Sequence, residues 1–300
     1  MHEIADRLLA AVDAGRTLAV ATAISIEGSA PRTVGTSMAW DGESVIGSIA
    51  GGCVEGAVVE VAAEVLADGV PRTVEFGVSD EDAFAVGLTC GGTIRIHVQP
   101  FTEALETNLR AGADLEVCQE FTERRPVSRR MIIFGAMEFS AALARAADAM
   151  GYRVTVVDPR PLFATSERFP RAEVVVMWPT TYLESTDVDE HTAICVLSHD
   201  ARFDAELIAQ ALALPVAYVG AMGSRTTHDR RIASLAERGI TDTGRLHSPI
   251  GLDLGASTPE ETAISILAEI LAARNDSTAL PLAVLQGSIH GRRSDAELVE

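Results

Sequence analysis

The stretch from residue 131 to residue 220 constrains the fold most, because short apolar runs alternate there with helix-like segments. Met131–Gly135, Val154–Asp158, Ala172–Trp178, Ile194–Ser198 and Val216–Gly220 are the runs. Strands separated by helices align side by side, with the helices as crossovers, so a doubly wound parallel sheet is expected. Composition agrees: 47% hydrophobic residues with only 5% aromatic ones give a core of Ala, Val, Leu and Ile. Such a core suits α/β layers better than an aromatic-rich β-sandwich.

The clearest helix follows this region. Thr258-Pro259-Glu260-Glu261 supplies an N-cap, a proline at N1 and a glutamate at N3, and Ile264, Leu267, Ala268 and Leu271 then line one face up to Arg274-Asn275-Asp276.

The preceding half reads as an α+β unit. After an acidic amphipathic helix at the start, strands are expected at Thr17–Ile26, Ser37–Trp40 and Ser44–Ile49. Gly51-Gly52-Cys53 opens a helix to about Ala67, with Val54, Ala57, Val58, Val61 and Val65 on a helical period. Strands at Arg72–Val78 and Thr93–Val98 flank a loop holding Cys90-Gly91-Gly92. The polar stretch Phe101–Ser128 is read as a helical segment and then a linker, Glu123–Ser128. The expected division is therefore 1–128, 129–275 and a tail, 276–300, that is an arm or partly disordered.

A net charge of −19 repels phosphate backbones and anionic lipid, which argues against nucleic-acid or membrane partners. Cys53, Cys90, Cys118 and Cys195 lie far apart with no CxxC pair, so neither a disulfide framework nor a metal site is expected. The first residues lack the pattern of a signal peptide, and the longest apolar runs, 172–178 and 211–219, are too short to span a bilayer; a cytoplasmic protein with reduced thiols is expected.

Three motifs carry chemistry. Gly135-Ala136-Met137-Glu138-Phe139-Ser140 follows a strand and opens a helix, as the dinucleotide fingerprint G-x-G-x-x-G does, and Asp158 sits where an acidic residue meets a ribose hydroxyl. Met137 and Ser140 replace the second and third glycines, and a methionine side chain fills space that a diphosphate needs. The reading favoured is a Rossmann-type frame with a different ligand, or none, over one that holds NAD(P) or FAD. The second motif, Tyr218–Arg225, is again strand, glycine loop and helix start: Gly223 precedes Ser224, which caps the helix, and Arg225, Arg230 and Arg231 stand near its free N–H groups as a phosphate site or a solvated basic face. His199 and Asp200 follow the fourth strand at the same carboxyl edge, where α/β proteins place ligands. The third is the pair of loops Gly51-Gly52-Cys53 and Cys90-Gly91-Gly92, whose glycines admit a ligand to the backbone and whose thiols suit soft metals and sulfur transfer. Cys53 is placed at a helix N-terminus, where the helix dipole gives it thiolate character; Cys118 and Cys195 are read as core residues.

Taken in order, Gly28-Ser29-Ala30-Pro31-Arg32, Gly35, Met38, Gly47–Glu55 and Cys90-Gly91-Gly92 resemble the N-terminal domain of the XdhC/CoxI family. Tyr152–Arg160, Tyr218–Arg225 and Ser248–Glu261 resemble its C-terminal Rossmann domain. The resemblance implies a maturation factor rather than a catalyst. Such a factor binds molybdenum cofactor (molybdopterin) transiently, supports its sulfuration by a separate cysteine desulfurase, and delivers it to an apo molybdenum hydroxylase of the xanthine dehydrogenase or CO dehydrogenase type. It implies Arg32, Gly51, Gly52, Cys53, Cys90, Gly91 and Gly92 as cofactor contacts, with Cys53 and Cys90 the chemically active pair. Family members commonly read Gly-Ala-Gly-His where this chain has Gly135-Ala136-Met137-Glu138. In the Rossmann part the expected contacts are Gly135, Asp158, His199, Gly223, Ser224 and Arg225, with the cofactor held between the two domains of each protomer in a homodimer. The competing classes are an NAD(P)- or FAD-dependent oxidoreductase, a persulfide-carrying sulfurtransferase and an assembly scaffold.

Overall fold

A computed structural model describes residues 1–28, 32–77 and 92–285. The chain forms two units that divide at Pro126/Val127.

In the first unit the strands β1 (Ala19–Glu27), β2 (Ser37–Trp40), β3 (Val45–Gly47), β4 (Arg72–Phe76) and β5 (Thr93–Pro100) make an antiparallel sheet in the order β3-β2-β1-β5-β4. The central strand explains the layers. Ala19, Ala21 and Ala23 face α2 (Glu55–Asp68) and pack on Val58, Ala62 and Val65. Leu18, Val20 and Ile24 face the other way, onto Leu8 of α1 (Ala5–Asp13) and Leu105 and Leu109 of α3 (Glu103–Ala111). Because successive side chains point to opposite faces, a strand covered on both sides reads as an unbroken apolar run. The Phe101–Ser128 stretch holds more structure than its polarity suggested: α3 is the expected helical segment, but a hairpin of β6 (Leu115–Cys118) and β7 (Phe121–Glu123) follows it, whose Leu115 and Val117 complete the second layer. Only residues 124–128 remain as loop.

The second unit is the expected parallel sheet. Its strands are β8 (Arg129–Phe134), β9 (Tyr152–Val157), β10 (Glu173–Val175), β11 (Thr192–Val196), β12 (Tyr218–Ala221) and β13 (Leu246–His247), in the order β10-β9-β8-β11-β12-β13, and every pairing is parallel. Met131, Ile133, Ala193 and Cys195 face α4 (Glu138–Ala149) and α8 (Pro259–Arg274). Ile132, Phe134, Ile194 and Val196 face α5 (Pro179–Ser185), α6 (Asp204–Ala213) and α7 (Arg225–Glu237). Each fully buried isoleucine or valine here contributes roughly 1.5–3 kcal/mol over leaving it exposed. The cap read at α8 is present: Thr258 Oγ1 accepts from Glu261 N–H at 3.2 Å, and Glu261 Oε2 accepts from Thr258 N–H at 3.1 Å.

Winding outward from β8 in both directions makes the chain reverse between β8 and β11. That reversal leaves a crevice beyond the carboxyl ends of these two strands, and α/β proteins bind ligands there.

Candidate functional site

The crevice is a cleft of about 360 Å³ whose lining includes Gly135, Met137, Asp158, Ser198 and His199. It thus brings together five residues singled out in the sequence: Gly135, Met137, Asp158, His199 and Asp200. The two strand ends are fastened to each other, since Leu197 and Ser198 N–H both donate to Phe134 O, at 2.9 and 3.0 Å. Gly135 has φ +107°, and a Cβ there would stand 2.9 Å from Ser198 N. Only glycine fits this turn without displacing the neighbouring strand end.

The loop beyond Gly135 is not open for a diphosphate. Met137, 42% exposed, occupies the N-cap of α4 and makes no capping bond. Glu138 opens the helix, and its carboxylate accepts from Arg168 at 2.7 Å. The positive end of α4 therefore already faces an anion of the chain's own.

Asp158 is 2% exposed and fully engaged. It accepts from Ala136 N–H at 2.8 Å and from Arg160 through N–H (2.9 Å), Nε (2.9 Å) and Nη2 (2.8 Å). Burial by itself raises this carboxyl, but the Arg160 guanidinium and the two backbone donors outweigh it and hold the group below its ordinary value. The same clasp recurs on the opposite rim. Asp200 accepts from Arg202 N–H at 3.1 Å and Nε at 2.9 Å, and the Arg202 guanidinium holds it at about 2. Arg202 lies over the Trp178 ring at 5.2 Å, and Trp178 meets Phe203 edge-on at 5.1 Å. Pro159, Pro179, Leu197 and Phe203 give the cleft apolar walls, and the two internally neutralised Asp-x-Arg turns reach it through Asp158, Arg160 and Asp200.

Gly223, Ser224 and Arg225 lie outside this cleft, at the start of α7. Ser224 caps the helix as expected, with Thr227 N–H donating to its Oγ at 3.1 Å. Arg231 is not available to a ligand as read from sequence. It is 3% exposed, donates to Asp204 at 2.7 and 3.1 Å and to Met222 O at 2.7 Å, and so ties α7 to α6. A second groove of about 360 Å³ runs between these helices, lined by Thr227, Arg230, Ser234 and the paired Asp204 and Arg231, and it shares His199 and Ala201 with the first cleft.

In the first unit Arg32 is half-buried and forms an ion pair with Glu3. Gly51 and Gly52 are exposed with φ of +71° and +109°, so they belong to a turn and not to the helix expected to begin there. Helix α2 begins only at Glu55, and Cys53, half-buried, precedes it. The Glu55 carboxylate, not a thiol, occupies the helix start. It accepts from Ser48 Oγ (2.7 Å) and from the N–H groups of Ile49 (3.1 Å), Ala50 (3.0 Å), Gly52 (2.8 Å) and Val54 (3.2 Å). Burial raises the Glu55 carboxyl, yet these donors win and hold it below its ordinary value. Cys90 and Gly91 lie outside the described residues; Gly92 is half-buried just before β5. Of the two cysteines read as core, Cys195 is fully buried on β11, where burial pushes its thiol up, and Cys118 is half-buried on β6.

Sequence reading passed over Glu55, Ser198, Arg160 and Arg202. For the arginines a signal existed: Asp158-Pro159-Arg160 and Asp200-Ala201-Arg202 repeat one pattern after two strands of one sheet. Ser198 carried none. Its hydroxyl oxygen is buried and has no hydrogen-bond partner among the described residues.

Comparison with known proteins is consistent along the chain. Residues 11–77 match the model of the XdhC and CoxI family, and residues 131–270 match that of the XdhC Rossmann domain; between them they span more than half of the chain. A protein of Bacillus subtilis (strain 168) described as a probable xanthine dehydrogenase subunit is 27% identical over 85% of this chain and 92% of its own length. The molybdenum cofactor insertion chaperone PaoD of Escherichia coli (strain K12) is 28% identical over 88% of this chain and 86% of its own. The protein YqeB of the same strain is 26% identical over 86% of this chain, which spans only 44% of YqeB. A crystal structure described as a xanthine dehydrogenase from Bacillus halodurans superposes with a TM-score of 0.78 at 25% identity, covering 94% of this chain and 98% of that one. With both domain models matched in order and the fold shared over nearly its whole length, the chain belongs to the XdhC and CoxI family.

Proposed function

We propose that this protein is a maturation factor that binds molybdenum cofactor and passes it to an apo molybdenum hydroxylase of the xanthine dehydrogenase type. The observation that carries the reading is the similarity to PaoD, a molybdenum cofactor insertion chaperone, over most of both chains. The cleft supports it. Apolar walls with a few convergent polar groups suit a flat heterocycle, while Met137 and Glu138 leave the dinucleotide loop poorly suited to NAD(P) or FAD.

In this reading the 1–128 segment and the 129–275 segment act as separate domains, and Gly135, Asp158, His199, Gly223, Ser224 and Arg225 belong to the cofactor's binding region. Asp158 acts through Arg160 and Ala136 and does not meet a ribose. Arg32 and Gly51–Cys53, with Cys90–Gly92, are the glycine-bordered thiol loops that handle a sulfur-rich ligand, with Cys53 and Cys90 the reactive groups; a separate cysteine desulfurase supplies the sulfur. The working form is a cytoplasmic homodimer. Among the described residues no helix is long and apolar enough to cross a membrane.

The test is uptake. Purified protein is mixed with cofactor released from a donor molybdoenzyme, passed through a gel-filtration column and assayed for pterin and molybdenum. Co-elution near one cofactor per chain is expected, together with loss of molybdenum hydroxylase activity in a strain lacking the gene. No co-elution, with hydroxylase activity intact in that strain, refutes the reading.

A further inference from the structure

We infer that the switch-point cleft and the groove beside α7 form one binding tract, which takes the heterocycle of a pterin phosphate in the cleft and its phosphate in the groove. The inference rests on the carrier reading above and assigns an orientation that reading leaves open.

Three observations meet. The two cavities, each about 360 Å³, share the lining residues His199 and Ala201, so they lie side by side beyond the end of β11, and a ligand that reaches across these two residues enters both. At the cleft end the Ser198 hydroxyl is buried with no partner among the described residues. An unmade hydrogen bond at a buried hydroxyl costs the free protein energy, and a rotation about χ1 that turns the hydroxyl out to a ligand's ring nitrogen or amide recovers that cost. At the other end Arg230 is exposed, lines the groove and forms no ion pair among the described residues, while its neighbour Arg231 is consumed by Asp204. A phosphate monoester there meets the one guanidinium of the groove left without a carboxylate, with the Thr227 hydroxyl beside it.

The opposite orientation, phosphate toward α4, meets the Met137 side chain, 42% exposed at the N-cap, and finds the arginine of that loop, Arg168, already paired with Glu138. The Asp158–Arg160 and Asp200–Arg202 turns flank the ring and carry no net charge, so they favour neither orientation.

The experiment uses the full chain and two probes: intact cofactor, which bears the phosphate, and 6-hydroxymethylpterin, which does not. Ser198→Ala removes a hydroxyl that has lost no protein partner, so the fold is undisturbed, and it is expected to weaken both probes by about three- to tenfold. Arg230→Gln, at an exposed position, is expected to weaken intact cofactor by about tenfold and to leave the phosphate-free pterin unchanged. Glu138→Gln is expected to change neither. Arg230→Gln acting on both probes equally or on neither, Ser198→Ala without effect, or Glu138→Gln strengthening cofactor binding by about tenfold each overturns the assignment. A wild-type chain that binds no cofactor overturns the carrier reading and this orientation with it; a wild type that binds, with indifferent variants, overturns the orientation alone.

Discussion

Replacing Glu55 by alanine removes the acceptor on which the loop 48–54 closes. Five donors converge on that carboxylate, and they differ in what they lose. Gly52 is exposed, so its N–H recovers water; Ile49, Ala50 and Val54 are 0%, 2% and 1% exposed, so theirs lie at buried residues. Leaving a buried donor unsatisfied costs about 1–3 kcal/mol. Three such donors, partly relaxed by movement of a glycine loop, give a loss of about 3–5 kcal/mol. Glu55→Gln retains one acceptor oxygen and turns the other into a donor facing N–H groups, so it should cost about half as much. The chain has two tryptophans, Trp40 in the first unit and Trp178 in the second. Urea unfolding read by Trp40 fluorescence in a Trp178→Phe background therefore isolates the unit concerned. The pH dependence has a fixed sign. The Glu55 carboxyl lies below its ordinary value of 4.5, so its stabilisation is present above that pH and is lost as pH falls through the depressed folded value. A gap between wild type and Glu55→Ala below about 0.5 kcal/mol at pH 7, or equally wide at pH 3, refutes the reasoning.

Gly135→Ala puts a Cβ at φ +107° and 2.9 Å from Ser198 N, and a loss of about 2–4 kcal/mol in the second unit, read by Trp178 fluorescence, is expected. Thr258→Ala breaks the reciprocal cap of α8 and should cost about 1 kcal/mol by the same measurement. Met137→Gly combined with Glu138→His removes both the side chain and the carboxylate that obstruct the α4 loop. Calorimetric titration with NADH should then show tighter binding than the wild-type chain gives.

The parallel sheet was legible because strands covered on both faces cannot alternate, and their continuous apolar runs stand out against amphipathic helices. The α8 start was legible because a capping box is written in four consecutive residues. The start of α2 was misplaced by four residues, Gly51 for Glu55, for a physical reason: Gly51 and Gly52 take positive φ, and the helix waits for Glu55 to satisfy the turn before it. The β6–β7 hairpin escaped because strands of four and three residues, with charged alternate positions, resemble loop. In the cleft, the glycine and the acid after the strands were readable, as was His199 at the sheet edge. What Asp158 holds was not, because a carboxylate offered to a ribose and one closed on Arg160 look alike in sequence. An orphaned hydroxyl such as that of Ser198 exists only in three dimensions.

The paired Asp-x-Arg turns bear on how fast an anionic cargo arrives. Each arginine at the rim cancels its own carboxylate, so the entrance offers no local attraction to set against the repulsion of a chain bearing −19. Long-range fields of this kind are screened beyond about 8 Å at physiological ionic strength. Uptake of a phosphorylated ligand should therefore quicken as salt is added, the reverse of ordinary electrostatic steering, until screening reaches the Arg230 contact itself. A carrier built this way is slow to collect free anions from dilute solution and best loaded by a donor already in contact with it.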